Sequence, residues 1–143
     1  MCANYTPDRN ERSQEHFGVS FEALDERPEA FPTNLVPIVR PSAKPNTLEV
    51  IHACFGIVPH WAELKLARQT YNARTETVAT KPSFRTAWRK KQFCIIPAAN
   101  FFEPCYETGK SVRWRIWHAK DRPFGIAGIW EVKPDGPDGK PVA

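Results

Sequence analysis

The second residue of the chain is Cys2, and a cysteine in that position has chemistry that no internal cysteine has. A small second residue lets the initiator Met1 be removed, leaving a free α-amine beside a free thiol. The amine attacks an aldehyde to form an imine, and the thiol closes onto it as a five-membered ring. Reference pKa values near 8 for the amine and about 8.5 for the thiol keep a useful fraction of both nucleophiles reactive at neutral pH. A frayed terminus that happens to carry a cysteine is the plain alternative.

The other three cysteines offer less. Cys54 and Cys94 lie inside apolar runs, where a free cysteine is usually a small core residue, and Cys105 carries no signal. The chain has no C-x-x-C pair and no histidine at zinc-ligand spacing, so neither a structural metal nor a disulfide framework is expected. No cofactor is implied.

A second chemical feature is the charge distribution. The net charge of +4 is modest, but between Lys65 and Lys91 the basic residues Lys65, Arg68, Arg74, Lys81, Arg85, Arg89, Lys90 and Lys91 face one acid, Glu76. The stretch from Asp8 to Glu29 is acidic by contrast. Interleaving of the basic segment with Tyr71, Phe84 and Trp88 suits a polyanion whose bases stack on exposed rings. A solvated helical face over core aromatics fits the same pattern.

These groups must be positioned by a single domain, since 143 residues form one core and not two. The 41% hydrophobic and 25% charged content is that of an ordinary globular chain. No apolar run reaches the 20 or so residues of a membrane span, and the polar N-terminus is unlike a signal peptide, so a cytoplasmic protein is expected.

Fourteen prolines divide the chain into short elements. The first thirty residues read as loop with short helices around Glu11–Phe17 and Ser20–Glu26. Strands are expected over Asn34–Arg40, Leu48–Val58, Phe93–Ala98, Val112–His118 and Phe124–Val132. Ala62–Gln69 has helical composition, Ala73–Ala79 suits a short helix or turn, and Pro82 fits the first position of a helix running to about Lys90. Pro134–Gly139 is a turn. Strands mixed with short helices, without a βαβ rhythm, indicate α+β architecture. The stop at Ala143, just after a turn-rich loop, reads as a domain lacking its last strands.

Several segments, in order, resemble the SOS-response-associated peptidase (SRAP) family, whose members cap abasic sites in DNA. Its opening Met-Cys-Gly-Arg-Tyr is Met1-Cys2-Ala3-Asn4-Tyr5 here. Its Ala-Pro-Thr-x-x-x-Pro-Val-Val-Arg segment is similar to Phe31-Pro32-Thr33-Asn34-Leu35-Val36-Pro37-Ile38-Val39-Arg40. Its Trp-Gly-Leu-Ile-Pro-x-Trp is similar to Phe55-Gly56-Ile57-Val58-Pro59-His60-Trp61. The family's Asn-Ala-Arg-x-Glu-Thr is intact as Asn72-Ala73-Arg74-Thr75-Glu76-Thr77, followed by Phe84-Arg85. Its Cys-Leu-Ile-Pro-Ala-x-Gly-Phe-Tyr-Glu-Trp signature resembles Cys94 to Pro104, and Phe124–Glu131 resembles its Ala-Gly-Leu-Trp-Glu strand. Asn4, Asn100 and Pro104 depart from the family's arginine, glycine and tryptophan. The family's catalytic histidine, in a His-x-Arg-Met-Pro segment, has no counterpart among His16, His52, His60 and His118.

The resemblance implies a twisted, mostly antiparallel sheet or open barrel with short flanking helices. It implies an enzyme that crosslinks Cys2 to the aldehyde of an abasic sugar in single-stranded DNA, acting as a monomer near the nucleoid without metal. Asn72 would orient the α-amine or a sugar oxygen, although asparagine also caps helical turns. Glu103 would move protons, its carboxyl partly desolvated by the Phe101-Phe102 pair; a plain exposed glutamate is the alternative. Arg74 and Arg85 would grip phosphates, and Lys90 and Lys91 would supply diffuse attraction. His60 and Trp61 would form a loop tip that stacks on an unpaired base, with a core role for Trp61 equally open. Two further readings remain: a thiol peptidase that removes its own Met1, and a DNA-binding module with an inert Cys2.

Overall fold

The computed structural model describes residues 4–20 and 28–133. Cys2, all but the first residue of the Ser20–Glu26 segment, and the Pro134–Gly139 turn lie outside these described residues. Among the described residues six strands form a single sheet in which every pairing is antiparallel, flanked by short helices. This is the expected α+β architecture.

The organising element is β4, Phe93–Cys105, a strand of 13 residues. Its first half pairs with β6, Phe124–Ile129, from Phe93↔Ile129 to Ala98↔Phe124. Its second half pairs with β5, Val112–Trp117, from Asn100↔Trp117 to Cys105↔Val112. Against the opposite edge lie β1, Asn4–Pro7, and β2, Leu35–Pro41; β2 touches β4 through Val39↔Ile95 and carries β3, Leu48–Cys54, on its outer side. Helix α1 spans Asn10–Phe17 and α2 spans Arg85–Arg89, with a 3-10 helix over Leu64–Arg68.

Several departures from expectation have physical causes. The strand expected to end at Ala98 runs on to Cys105, because β1 pairs with it as far as Phe102 and β5 from Asn100 to Cys105; these partners override the weak propensity of Asn100, Glu103 and Pro104. The strand expected to reach Val58 stops at Cys54, because Gly56 turns the chain with φ at +109°. The segment read as loop holds β1, four residues whose alternation is too short to register and whose partner lies far along the chain. Pro82 sits in a turn ahead of α2 and not at its first position.

Apolar alternation puts Tyr5, Val36, Ile38, Ala53, Cys94 and Ala98 together as the buried core, packed by Ile51, Phe55, Ile96, Phe101, Phe124, Ile126 and Trp130. Of the two internal cysteines read as core, Cys94 is buried and Cys54 is half-buried. Burial pushes the Cys94 thiol up to about 12, with the Arg40 guanidinium pulling weakly the other way, and burial raises Cys54 as well. Both are poor nucleophiles at neutral pH. Strand β5 alternates as expected, but all six of its residues are exposed.

Candidate active site

Strand β1 lies against residues Ala98 to Phe102 of β4. Asn4 stands opposite Phe102 and Tyr5 opposite Phe101. Asn4 is buried, and its amide donates to Glu29, which also receives the Arg113 guanidinium from β5. Arg113 lies over the Phe102 ring at 3.6 Å. Glu29 thus ties the strand that follows Cys2 to the far side of β4.

Glu103 is the next residue along β4, half-buried, and directly opposite Trp114. Cross-strand partners share a face of the pleat, so Glu103, Trp114, Phe101, Ile116 and Tyr5 lie on one face. Trp114 is 49% exposed there. The carboxylate expected to move protons is therefore one residue from the partner of Asn4, itself two residues from Cys2 in the chain.

Asn72 arrives by a different route. At Gly56 an added Cβ would lie 2.8 Å from the carbonyl carbon and 2.9 Å from the Cα of Ala67, and closer still to its oxygen. Only glycine allows that approach. It lets Ile57 N–H donate to the Thr70 carbonyl at 3.2 Å while the Thr70 hydroxyl donates back to the Ile57 carbonyl at 2.6 Å. The clamp fixes Tyr71 and then Asn72. Edge-to-face contacts join Tyr5 to Phe55 at 5.4 Å and Phe55 to Tyr71 at 6.1 Å. Tyr5 and Asn72 consequently line the same cavity, of about 360 Å³, between the Phe55–Asn72 region, α2 and β6. Glu103 is outside that lining.

None of the basic residues lines this cavity. Arg85 is exposed at the start of α2, a helix whose neighbours Phe84 and Trp88 line the cavity. Arg74, Lys90 and Lys91 are exposed too. Phe84 is buried and is a core ring, not the stacking surface its basic surroundings suggested, whereas Trp88 is exposed and packs edge-on against Phe93 at 5.4 Å. His60 and Trp61 are the central residues of a turn closed by Ala62 N–H on the Pro59 carbonyl at 2.9 Å. Trp61 is 60% exposed, so it is a loop tip and not a core residue.

Two residues beneath that tip carried no functional reading in the sequence. Glu131 is 8% exposed, with Oε1 3.7 Å from His60 Nδ1. Lys133, also buried, donates from Nζ to the His60 carbonyl at 3.1 Å. Glu131 had appeared only as the end of the segment that resembles the Ala-Gly-Leu-Trp-Glu strand, and Lys133 carried no signal. Among the described residues no group of three or more His, Cys, Asp or Glu could hold a metal ion, and no helix is long and apolar enough to cross a membrane.

Comparison with known proteins adds the following. The model of the family described as SOS response associated peptidase (SRAP) matches residues 1–143. The abasic site processing protein YoqW of Bacillus subtilis is 37% identical over 90 residues, covering 62% of this chain and 39% of that protein. The abasic site processing protein YoaM of the same organism is 35% identical over 79 residues, covering 54% and 34%. These matches span under two fifths of the length of those relatives. A solved structure from Bordetella bronchiseptica superposes with a TM-score of 0.84 at 31% identity, covering 99% of this chain and 68% of that one. One from Bacteroides thetaiotaomicron gives 0.76 at 24% identity, covering 99% and 65%, and bears on the fold alone.

Proposed function

The chain belongs to the SRAP family, and from that premise we propose that it processes abasic sites in single-stranded DNA through a covalent adduct at Cys2. The carrying observation is the register of β1 on β4. Asn4 pairs with Phe102, beside Glu103, and a two-residue tether spans at most about 7 Å. This supports an N-terminal nucleophile working close to β4, on which Glu103 is the one carboxylate, standing on the face that Tyr5 shares and Asn4 does not. The curated relatives named abasic site processing proteins support the choice of substrate.

The chemistry balances without a cofactor. Once Met1 is gone, the Cys2 amine adds to the C1′ aldehyde of the open sugar and gives a carbinolamine. Glu103 protonates the hydroxyl, which leaves as water, and the imine forms. The thiol then adds to the imine carbon, its proton passing to nitrogen, and a thiazolidine closes. One water is lost overall and no electrons are transferred. Asn72 orients the amine or a sugar oxygen. Arg74 and Arg85 hold phosphates on either side, Trp61 stacks on a neighbouring base beside His60, and Lys90 and Lys91 add salt-sensitive attraction. Removal of Met1 is a requirement, since an acylated nitrogen forms no imine.

The test is a denaturing gel with intact-mass analysis after mixing the protein with uracil-glycosylase-treated single-stranded DNA. Mature wild type should give a band of summed mass less one water, and Cys2→Ala none. No adduct from protein with confirmed Met1 removal would overturn the covalent reading. Salt-sensitive binding that survives Cys2→Ala would leave a DNA-binding module in its place.

A further inference from the structure

We propose that Lys133 is a positioning residue for the His60–Trp61 tip, holding it in the shape that offers the Trp61 ring to an unpaired base. The proposal rests on the reading above, in which Trp61 stacks on DNA, and names the residue that readies it.

The tip is a turn from Pro59 to Ala62, closed by the Ala62 N–H on the Pro59 carbonyl at 2.9 Å. In such a turn the plane of the central peptide is the main variable, since types I and II differ by flipping it. Here that peptide joins His60 to Trp61, and its carbonyl accepts from Lys133 Nζ at 3.1 Å. The plane is therefore fixed from outside the turn. With it is fixed the direction in which the Trp61 side chain leaves the backbone. Pro59 sets the entry to the turn, because its side chain is fully buried and its ring locks φ.

Burial is what singles Lys133 out. It is 8% exposed, as is Glu131 two residues before it, and neither residue type is usually buried without a partner. The ammonium meets that need with a charge-assisted bond to a main-chain carbonyl. Glu131 Oε1 stands 3.7 Å from His60 Nδ1, so main chain and side chain of His60 both meet this buried pair. The pair follows directly on β6, and the Trp130 N–H on the Gln92 carbonyl at 3.0 Å carries the order of the sheet up to it. The ring above is 60% exposed. A fixed stem under a bare ring suits a stacking platform, because less freedom is lost when a base arrives.

The test measures fluorescence anisotropy on a single-stranded oligonucleotide carrying a tetrahydrofuran abasic analogue, which has no aldehyde and cannot crosslink. Wild type, Lys133→Met, Trp61→Ala and the double variant form a cycle. Trp61→Ala should bind about five- to a hundredfold more weakly, and Lys133→Met about two- to tenfold more weakly. The double variant should bind no more weakly than Trp61→Ala. Lys133→Met should keep the wild-type salt slope, since Nζ holds a carbonyl and not a phosphate. In protein labelled with fluorotryptophan, the fluorine resonance that Trp61→Phe removes should shift in Lys133→Met before DNA is added. Should Lys133→Met fail to fold, Lys133→Arg, which keeps the charge and displaces the donor, replaces it throughout. Wild-type affinity in the Lys133 variant, losses that multiply in the double variant, a salt slope lowered by about one or an unmoved resonance each overturn the proposal. Adduct formation at Cys2 by protein whose binding ignores Trp61 would sink the tip and leave the covalent chemistry standing; a coupled cycle in protein that forms no adduct would do the reverse.

Discussion

Replacing Gly56 by alanine tests the link between backbone packing and the position of Asn72. The new Cβ meets the Ala67 backbone at under 3 Å from three atoms, none of which belongs to a mobile side chain. The residue would also hold φ at +109°, which costs an L-amino acid about 1–2 kcal/mol. Relief of the overlap costs about 1–3 kcal/mol more, as for other overpacked sites. A total of about 2–5 kcal/mol should lower the melting temperature by about 6–20 °C in a domain of this size. Gly109→Ala is the control: its φ is +75° but nothing lies within 4 Å of the added Cβ, so only the backbone cost of about 1 kcal/mol applies. Scanning calorimetry of the two variants separates the terms. The adduct assay, run below the transition on folded protein, should also show a lower rate for Gly56→Ala, since displacement of Thr70 moves Asn72 and an error of about 1 Å at a reacting group can cost about a hundredfold. Equal melting shifts for the two variants would refute the close-approach argument, and an unchanged adduct rate would refute its connection to Asn72.

Other predictions are more direct. Trp61→Ala should weaken single-stranded DNA binding by about 1–3 kcal/mol with little change in melting temperature, because the ring is 60% exposed; a large melting shift would mean the ring is structural. Arg85→Gln should lower the slope of log affinity against log salt by about one, as measured by anisotropy across a salt series, and an unchanged slope removes Arg85 from the phosphate contacts. The buried Cys94 thiol is pushed up to about 12, so the folded state binds its proton more tightly than the unfolded chain does. Its contribution is complete below the ordinary thiol pKa and disappears as pH rises through the folded value, about 2–3 kcal/mol having been lost by pH 11. Urea titrations of wild type and Cys94→Ala should thus diverge in pH dependence between about pH 9 and 12; parallel curves would contradict the burial argument.

Much of the fold was legible because local pattern and tertiary context agreed. Strand β2 was read over Asn34–Arg40 and runs over Leu35–Pro41, fenced by prolines and buried at four consecutive positions. Helix α1 was expected one residue short of its true start at Asn10. Where the reading failed, a distant partner decided the outcome. No window around Asn100–Pro104 shows that two other strands will flank it, and no alternation reveals that Gly56 must approach Ala67. Of the candidate site residues, Asn72, Glu103, Arg74 and Arg85 were legible as motif residues, and Glu131 as the end of the Ala-Gly-Leu-Trp-Glu match. The burial of Glu131 and Lys133 beneath His60 was not, because a linear pattern does not encode it.

The pairing of β1 with β4 also has a consequence in time. Asn4 and Phe102 are 98 positions apart (102 − 4), so the first strand has no sheet partner while the ribosome makes everything between them. At about 5–20 residues per second, the N-terminus spends roughly 5–20 s in the nascent chain before its place in the sheet exists. During that interval Met1 is open to cotranslational trimming, so under the proposed chemistry Cys2 would be unmasked before Glu103 has been synthesised. On that reading the order of synthesis separates maturation of the nucleophile from assembly of the site.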